Sequence, residues 1–257
     1  MEKEFAKADN ETLVIFDMDW VILESADRAF HADVHETVRP IMESFKKYFE
    51  KQNPDEKEKL GAALWKIETQ LIDSKMPLLI NVLQSRGIKT LLLTANYNGK
   101  VADIKSIESL CYLKLKKLGI DFEQSWKNFN RINFKRTESK GKKFIPFFGN
   151  GMIFTCRVPK GEILKEFLTK LPQYKFKKVI FIDDHLKNIK SVEEATAKLN
   201  IEFVGIEYTY AKTKKRPPLD MEKVKKKCEI LIKEKRWTSD AEMENYERSQ
   251  NFVKPVN

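Results

Sequence analysis

Two aspartates closing a short apolar run set the frame for this chain. Leu13-Val14-Ile15-Phe16 is followed directly by Asp17-Met18-Asp19-Trp20-Val21. Four consecutive apolar residues, β-branched or aromatic apart from Leu13, predict a strand covered on both faces, as strands of a parallel sheet are. Open α/β sheets bind ligands in the crevice beyond the carboxyl ends of their strands. Positions i and i+2 of a strand project to the same side, so Asp17 and Asp19 are expected to stand together there. Two neighbouring carboxylates repel, and a hard divalent ion such as Mg²⁺, shared with substrate phosphate oxygens, relieves that repulsion.

The rest of the chain supplies more such strands. Residues 1–11 read as a loose leader, and Leu23 to Lys51 and Glu56 to Ser74 carry helical spacing on either side of an Asn53-Pro54-Asp55 break. Together they make an insertion of about fifty residues, far longer than the usual strand-to-helix connection of about 2–6. It is expected to be a helical cap, residues 23–76, inserted after the first strand and lying over the crevice. From Met76 strands and helices alternate: a helix stopped by Gly87, a strand Ile88–Thr94, a helix Lys100–Leu118, and a stretch from Ile120 to Lys140 with no readable period. A hairpin through Gly149-Asn150-Gly151 joins Phe144–Phe148 to Met152–Cys156, since an Asn-Gly step favours a tight turn with positive φ. A helix opening at Pro159-Lys160, a strand Val179–Asp184, a helix from Leu186 to Leu199 and a strand Glu202–Glu207 complete a core spanning 12–22 and 77–210. Pro217-Pro218 ends it, and residues 211–257 read as a basic helix, Met221–Lys235, followed by a polar tail from Trp237 to Asn257.

Composition narrows the function classes. No run of about 18 apolar residues is present, and Met1 to Thr12 lacks the apolar stretch of a signal peptide, so the expectation is a cytoplasmic protein with no membrane span. Cys111, Cys156 and Cys228 are odd in number and without a CxxC pair, which argues against a disulfide or zinc framework. The net charge of +10 favours anionic partners. The lysines, however, are scattered over separate segments, which sets nucleic acid behind a small phosphorylated substrate as the expected partner.

Polar residues fall at the ends of different strands. Asp17 and Asp19, Thr94, and Asp183 and Asp184 each close an apolar run, and Lys160 opens a helix between them. A parallel sheet brings those ends to one edge, gathering carboxylates, a hydroxyl and an ammonium into one site. Phosphoryl transfer uses that set: a nucleophilic carboxylate, a divalent metal, and donors aimed at the phosphoryl oxygens.

In order and spacing these residues resemble the haloacid dehalogenase (HAD) superfamily, and most of all a poorly characterised bacterial branch with a Gly-Asn-Gly hairpin ahead of the lysine. Its DxDx(T/V) motif is matched by Asp17, Asp19 and Val21, its strand ending in Thr or Ser by Thr94, its helix-opening lysine by Lys160, and its paired acids by Asp183-Asp184. The resemblance covers residues 13 to about 207 and implies a Rossmann-like three-layer sandwich with a mostly parallel central sheet. It implies a Mg²⁺-dependent phosphohydrolase acting on a small phosphomonoester. Asp17 would be the nucleophile, Asp19 the acid and base, Thr94 and Lys160 the phosphate ligands. Asp17, Asp183 and the Asp19 carbonyl would be the metal ligands, with Asp184 in support. Trp20 departs from the family, standing where many relatives have Gly, so the loop after Asp19 is expected to be stiffer or the indole to line the substrate mouth.

Other motifs carry less. His31 and His35 have i, i+4 spacing, but no third ligand is evident, and they read as surface histidines of the cap helix. His185 adjoins Asp184 and is expected near the rim of the site. Gly149-Asn150-Gly151 reads as a turn. Two other functions fit the same residues: a HAD-fold binding or signalling module without turnover, and a factor holding nucleic acid or phosphoprotein on its basic surface.

Overall fold

The computed structural model describes residues 2–245 apart from Asn128, Arg136, Lys140 and Gly141; the end of the expected polar tail, 246–257, lies outside the described residues. The chain divides into two compact units. The first comprises Met1–Glu24, Leu71–Gly99 and Ser106–Ala211, and the second Ser25–Gln70, Lys100–Lys105 and the chain from Lys212 onward. Among the described residues no helix is long and apolar enough to cross a membrane.

The first unit is built on a seven-stranded sheet: β1 Thr12–Phe16, β2 Lys89–Thr94, β3 Ile132–Asn133, β4 Phe147–Gly149, β5 Met152–Phe154, β6 Lys178–Asp183 and β7 Glu202–Glu207, in the spatial order β7-β6-β1-β2-β5-β4-β3. β7, β6, β1, β2 and β5 run parallel, and only the β5-β4-β3 edge is antiparallel. Helices flank the sheet, giving the expected Rossmann-like three-layer sandwich, and the chain leaves the sheet after β1 into the helical second unit. Every residue of β1 is buried. Leu13 and Ile15 face a core shared with Leu91, Leu93, Phe148, Leu164, Phe167 and Phe181. Phe16, one position on, points to the opposite face, where its ring meets those of Phe5 and Phe122 at 6.1 and 6.0 Å. Burying a side chain of this size stabilises the fold by about 1.5–3 kcal/mol, so β1 is an anchor on both of its faces.

Several elements are shorter or differently made than periodicity suggests. The leader is not loose: Glu2–Ala6 is a short helix, α1, whose Phe5 is buried and whose end is held by Arg86, donating to the carbonyls of Phe5, Ala6 and Ala8 at 2.9, 3.3 and 2.7 Å. The last carbonyls of so short a helix lack a full set of intrahelical donors, and Arg86 supplies an outside one. After α2 (Met76–Ser85), the helix expected from Lys100 begins only at Ile107, as α3 (Ile107–Lys117), because Ser106 caps it by accepting the Ser109 N–H at 3.0 Å. The expected hairpin forms, with Asn150 and Gly151 at φ of 52° and 72°. A side chain at Gly151 would lie 2.4 Å from the Phe122 backbone.

The second unit corrects the reading of residues 23–74 as two long helices. Leu23–Ser25 is a strand, Arg28–Phe30 and Ala32–Val34 are 3-10 turns, and only His35–Lys51 is helical. Asp27 caps the first of these turns by accepting the Ala29 N–H at 3.0 Å, competing with continuous helix. The next helix runs over Pro54–Trp65, and Thr69–Leu71 is again a strand. The basic helix, Met221–Glu234, belongs to this unit: its Leu231 is buried with Leu60 and Ala63. Its Lys227 is buried against Asp27 and against Asp240 at 2.6 Å.

Lys160 opens α4 (Lys160–Thr169), and α5 (Leu186–Ala197) packs closely on it. A Cβ on Gly161 would stand 1.8 Å from the Ser191 carbonyl oxygen, and the Gly161 N–H donates to Ser191 Oγ at 3.0 Å. Only glycine lets the two backbones meet there. Gly161→Ala is expected to destabilise the protein by about 1–3 kcal/mol, read as a lower urea midpoint, and an unchanged midpoint would contradict this packing.

Candidate functional site

The carboxyl edge of the parallel strands collects the polar residues. Asp17 follows β1, and its N–H donates to the Ile182 carbonyl at 2.9 Å, which ties it to the β6 end carrying Asp183. Lys160, 2 % exposed, places its ammonium 2.7 Å from Asp17 Oδ1 and 2.7 Å from Asp183 Oδ2. Carboxylate oxygens of Asp17, Asp183 and Asp184 all lie within 4.8 Å of one another, and all three residues are buried. Residues separated by more than 140 positions in the sequence thus form one cluster.

Its electrostatics leave negative charge in excess. Three carboxylates against one ammonium leave two negative charges in excess when all are ionised, and an uncompensated charge in a low-dielectric interior is costly. Burial pushes the Asp17 carboxyl well above the usual carboxylate range; the Lys160 ammonium opposes this, while Asp183 and Asp19 reinforce it. Burial alone would lower Lys160, yet Asp17 and Asp183 together hold its ammonium above the ordinary lysine value. The donor set is all oxygen, hard and anionic, and it fits a divalent cation of the Mg²⁺ type, with Asp17, Asp183 and Asp184 as the residues that can hold it.

Each site residue is positioned by its own neighbours. Asp183 Oδ1 accepts the His185 N–H at 2.8 Å and the Asn188 amide at 2.9 Å, and Oδ2 accepts Asn188 at 3.1 Å besides Lys160. Such saturation fixes the carboxylate's orientation. Thr94 ends β2, 1 % exposed; its hydroxyl accepts the Asn96 N–H at 3.2 Å, which leaves its own proton for an anion. Asp19 departs from the trio. Its carboxylate is turned to the Asn96 amide at 2.9 Å and is exposed, while protein atoms crowding around it raise its pKa against the pull of Asn96, Lys160 and Arg157. Asp184 supplies the third carboxylate of the cluster, with the exposed His185 imidazole 3.5 Å away.

Trp20 takes φ +60°, the left-handed conformation that glycine adopts freely and other residues at a cost of about 1–2 kcal/mol. The turn is closed by its N–H, donating to the Leu23 carbonyl at 2.8 Å, and its indole lies 6.3 Å from the His185 ring. The two remaining histidines do not share a helix face. His31 is buried between the 3-10 turns with Nε2 2.8 Å from the Ser25 carbonyl, and His35 begins the next helix, exposed. The reading of His31 as a surface residue is therefore corrected.

Sequence reasoning passed over Asn96, Asn188 and Arg157. Each is a single polar residue one to four positions beyond a recognised strand end or motif, with no spacing rule to mark it.

The chain belongs to DUF2608, a family described as proteins of unknown function, whose model matches residues 1–244. It is 23% identical over 203 residues to the uncharacterized protein RP296 of Rickettsia prowazekii (strain Madrid E), covering 78% of this chain and 70% of that one. No solved structure matches it.

Lys160 compensates two buried acids, so removing it leaves both uncompensated. Lys160→Met is expected to lower stability without metal by about 3–5 kcal/mol, and millimolar Mg²⁺ to restore part of the loss in thermal melts. A variant as stable as the wild type would contradict the buried ion pairs.

Proposed function

We propose that this protein is a HAD-type phosphohydrolase that hydrolyses a small phosphomonoester through an aspartyl phosphate on Asp17, with Mg²⁺ as its metal. The observation that carries the reading is the buried Lys160 ammonium shared at 2.7 Å by Asp17 and Asp183, beside a third buried carboxylate. Two acids on one buried lysine, beside a third carboxylate at the edge of a parallel sheet where ligands bind, favour a functional site over a structural ion pair.

An Asp17 oxygen attacks phosphorus, the bond to the leaving oxygen breaks, and Asp19 gives that oxygen its proton. Asp19 then takes a proton from water, whose oxygen attacks phosphorus; the Asp17–phosphorus bond breaks and orthophosphate leaves. Asn96 keeps the Asp19 carboxylate oriented for both halves. Lys160 balances the Asp17 charge before attack and the phosphoryl charge after it. Thr94 donates its hydroxyl proton to a phosphoryl oxygen. Asp17, Asp183 and Asp184, with the Asp19 carbonyl, would hold Mg²⁺, which would supply positive charge against the phosphate oxygens.

The purified protein is expected to release orthophosphate from members of a phosphomonoester panel when Mg²⁺ is added and to stop when it is chelated. Asp17→Asn is expected to lower the rate by about three orders of magnitude or more while keeping the fold by circular dichroism. Phosphate release by Asp17→Asn at the wild-type rate would overturn the assignment of the nucleophile, and its absence with every ester would overturn the enzyme reading.

A further inference from the structure

The segment after β5 is held in an unusual shape. Cys156 and Arg157, neither of them glycine, both take left-handed backbone conformations, at φ of 52° and 69°. Consecutive side-chain-bearing residues in that region are strained and persist only where the surroundings impose them. Here the surroundings are the loop after β2. Thr155, Cys156 and Arg157 donate their N–H groups to the carbonyls of Thr94, Asn96 and Ala95 at 2.9, 3.2 and 3.0 Å, and the Val158 N–H closes the turn on Thr155 at 3.0 Å.

This fixed turn carries an exposed guanidinium. Arg157 is exposed, no salt bridge engages it among the described residues, and its guanidinium carbon lies 5.7 Å from the centre of the Tyr97 ring. An arginine resting on an aromatic ring keeps its planar fork oriented and free for an anion. Its place relative to the acids is defined by Asn96, whose carbonyl binds the strained turn and whose side-chain amide binds Asp19 at 2.9 Å. The backbone that carries Arg157 is thus tied through Asn96 to Asp19, and the Arg157 charge acts on the Asp19 carboxylate, whereas Lys160 spans Asp17 and Asp183. Asp19 is the residue assigned to protonate the leaving oxygen, so a cation beside it faces the leaving group and not the transferred phosphoryl group.

We propose that Arg157 is a specificity residue, binding a second anionic group, a carboxylate or a further phosphate, carried on the leaving-group part of the substrate. This rests on the phosphohydrolase reading above for the direction in which the ligand lies. It narrows the substrate class to phosphomonoesters with an additional anion a few bonds from the ester oxygen. A guanidinium pairs with such a group through two parallel hydrogen bonds, and its exposure to water limits the gain to about tenfold in affinity.

Two phosphonates matched in length test it by binding alone: 3-phosphonopropionate and propylphosphonate, titrated calorimetrically in the presence of Mg²⁺. Wild type is expected to bind the carboxylated compound about tenfold more tightly. Arg157→Gln is expected to bring the two within about twofold, and Arg157→Lys to keep an intermediate preference, since it retains charge without the fork. Equal binding by the wild type, an undiminished preference in Arg157→Gln, or binding of neither phosphonate would overturn the proposal; the first and last outcomes need no variant. Turnover is scored separately, with 4-carboxyphenyl phosphate. A preference that depends on Arg157, without turnover of this ester or of any in the panel, would remove the enzyme reading and leave the anion site standing.

Discussion

One buried ammonium organises the edge of this sheet. Asp17 and Asp183 belong to strands that are neighbours in register, and without a cation between them their carboxylates would face each other in a low-dielectric interior. Lys160 is brought there by a helix that packs on α5 at this distance only because Gly161 has no side chain. The sheet, the helix pair and the charge balance are therefore one constraint seen at three levels. Loss of any of them disturbs the other two.

The fold was legible because its strands are apolar on both faces and end in polar residues. β1, β2 and β6 are marked by Val14-Ile15-Phe16, Leu91-Leu92-Leu93 and Ile180-Phe181-Ile182, and the acids or threonine that close them fix where the crevice lies. The stretch from Ile120 to Lys140 was opaque for a physical reason. It supplies Trp126, whose ring packs edge-on against Phe148, Phe167 and Tyr174 and whose indole N–H donates to the Thr90 carbonyl at 2.8 Å. The 3-10 turn and the edge strand are too short to set up a period: they reach the core through Phe122 and Trp126 of the turn and Phe134 beside the strand. The second unit was misread where side chains compete with helix, as Asp27 does. Its C-terminal helix was read as separate because its partners, Leu60 and Ala63, lie about 170 positions earlier.

The site was legible in its charged residues and illegible in those that aim them. Asp17, Asp183, Asp184 and Lys160 converge, and Thr94 closes β2 at the same carboxyl edge. The amides of Asn96 and Asn188, which turn Asp19 and Asp183, left no signal, because one asparagine in a loop or a first helical turn is ordinary in composition. Backbone strain was equally silent. Cys156 and Arg157 take left-handed conformations through hydrogen bonds to carbonyls about sixty positions earlier, and Trp20 through a bond to the Leu23 carbonyl, not through any local preference of their own. That strain borders the acids on two sides, at the loop after β1 and at the loop after β5, where a rigid frame serves binding better than a flexible one.

The central claim is that the three buried carboxylates beside Lys160 form a divalent-metal site. Crystals of the wild-type protein soaked in Mn²⁺ and recorded at an anomalous wavelength test it directly. The account predicts one strong anomalous peak within coordination distance of Asp17 and Asp183, absent in Asp183→Asn crystals treated alike. A Mn²⁺-soaked wild-type crystal with no peak there, or with its strong peak elsewhere, would contradict it.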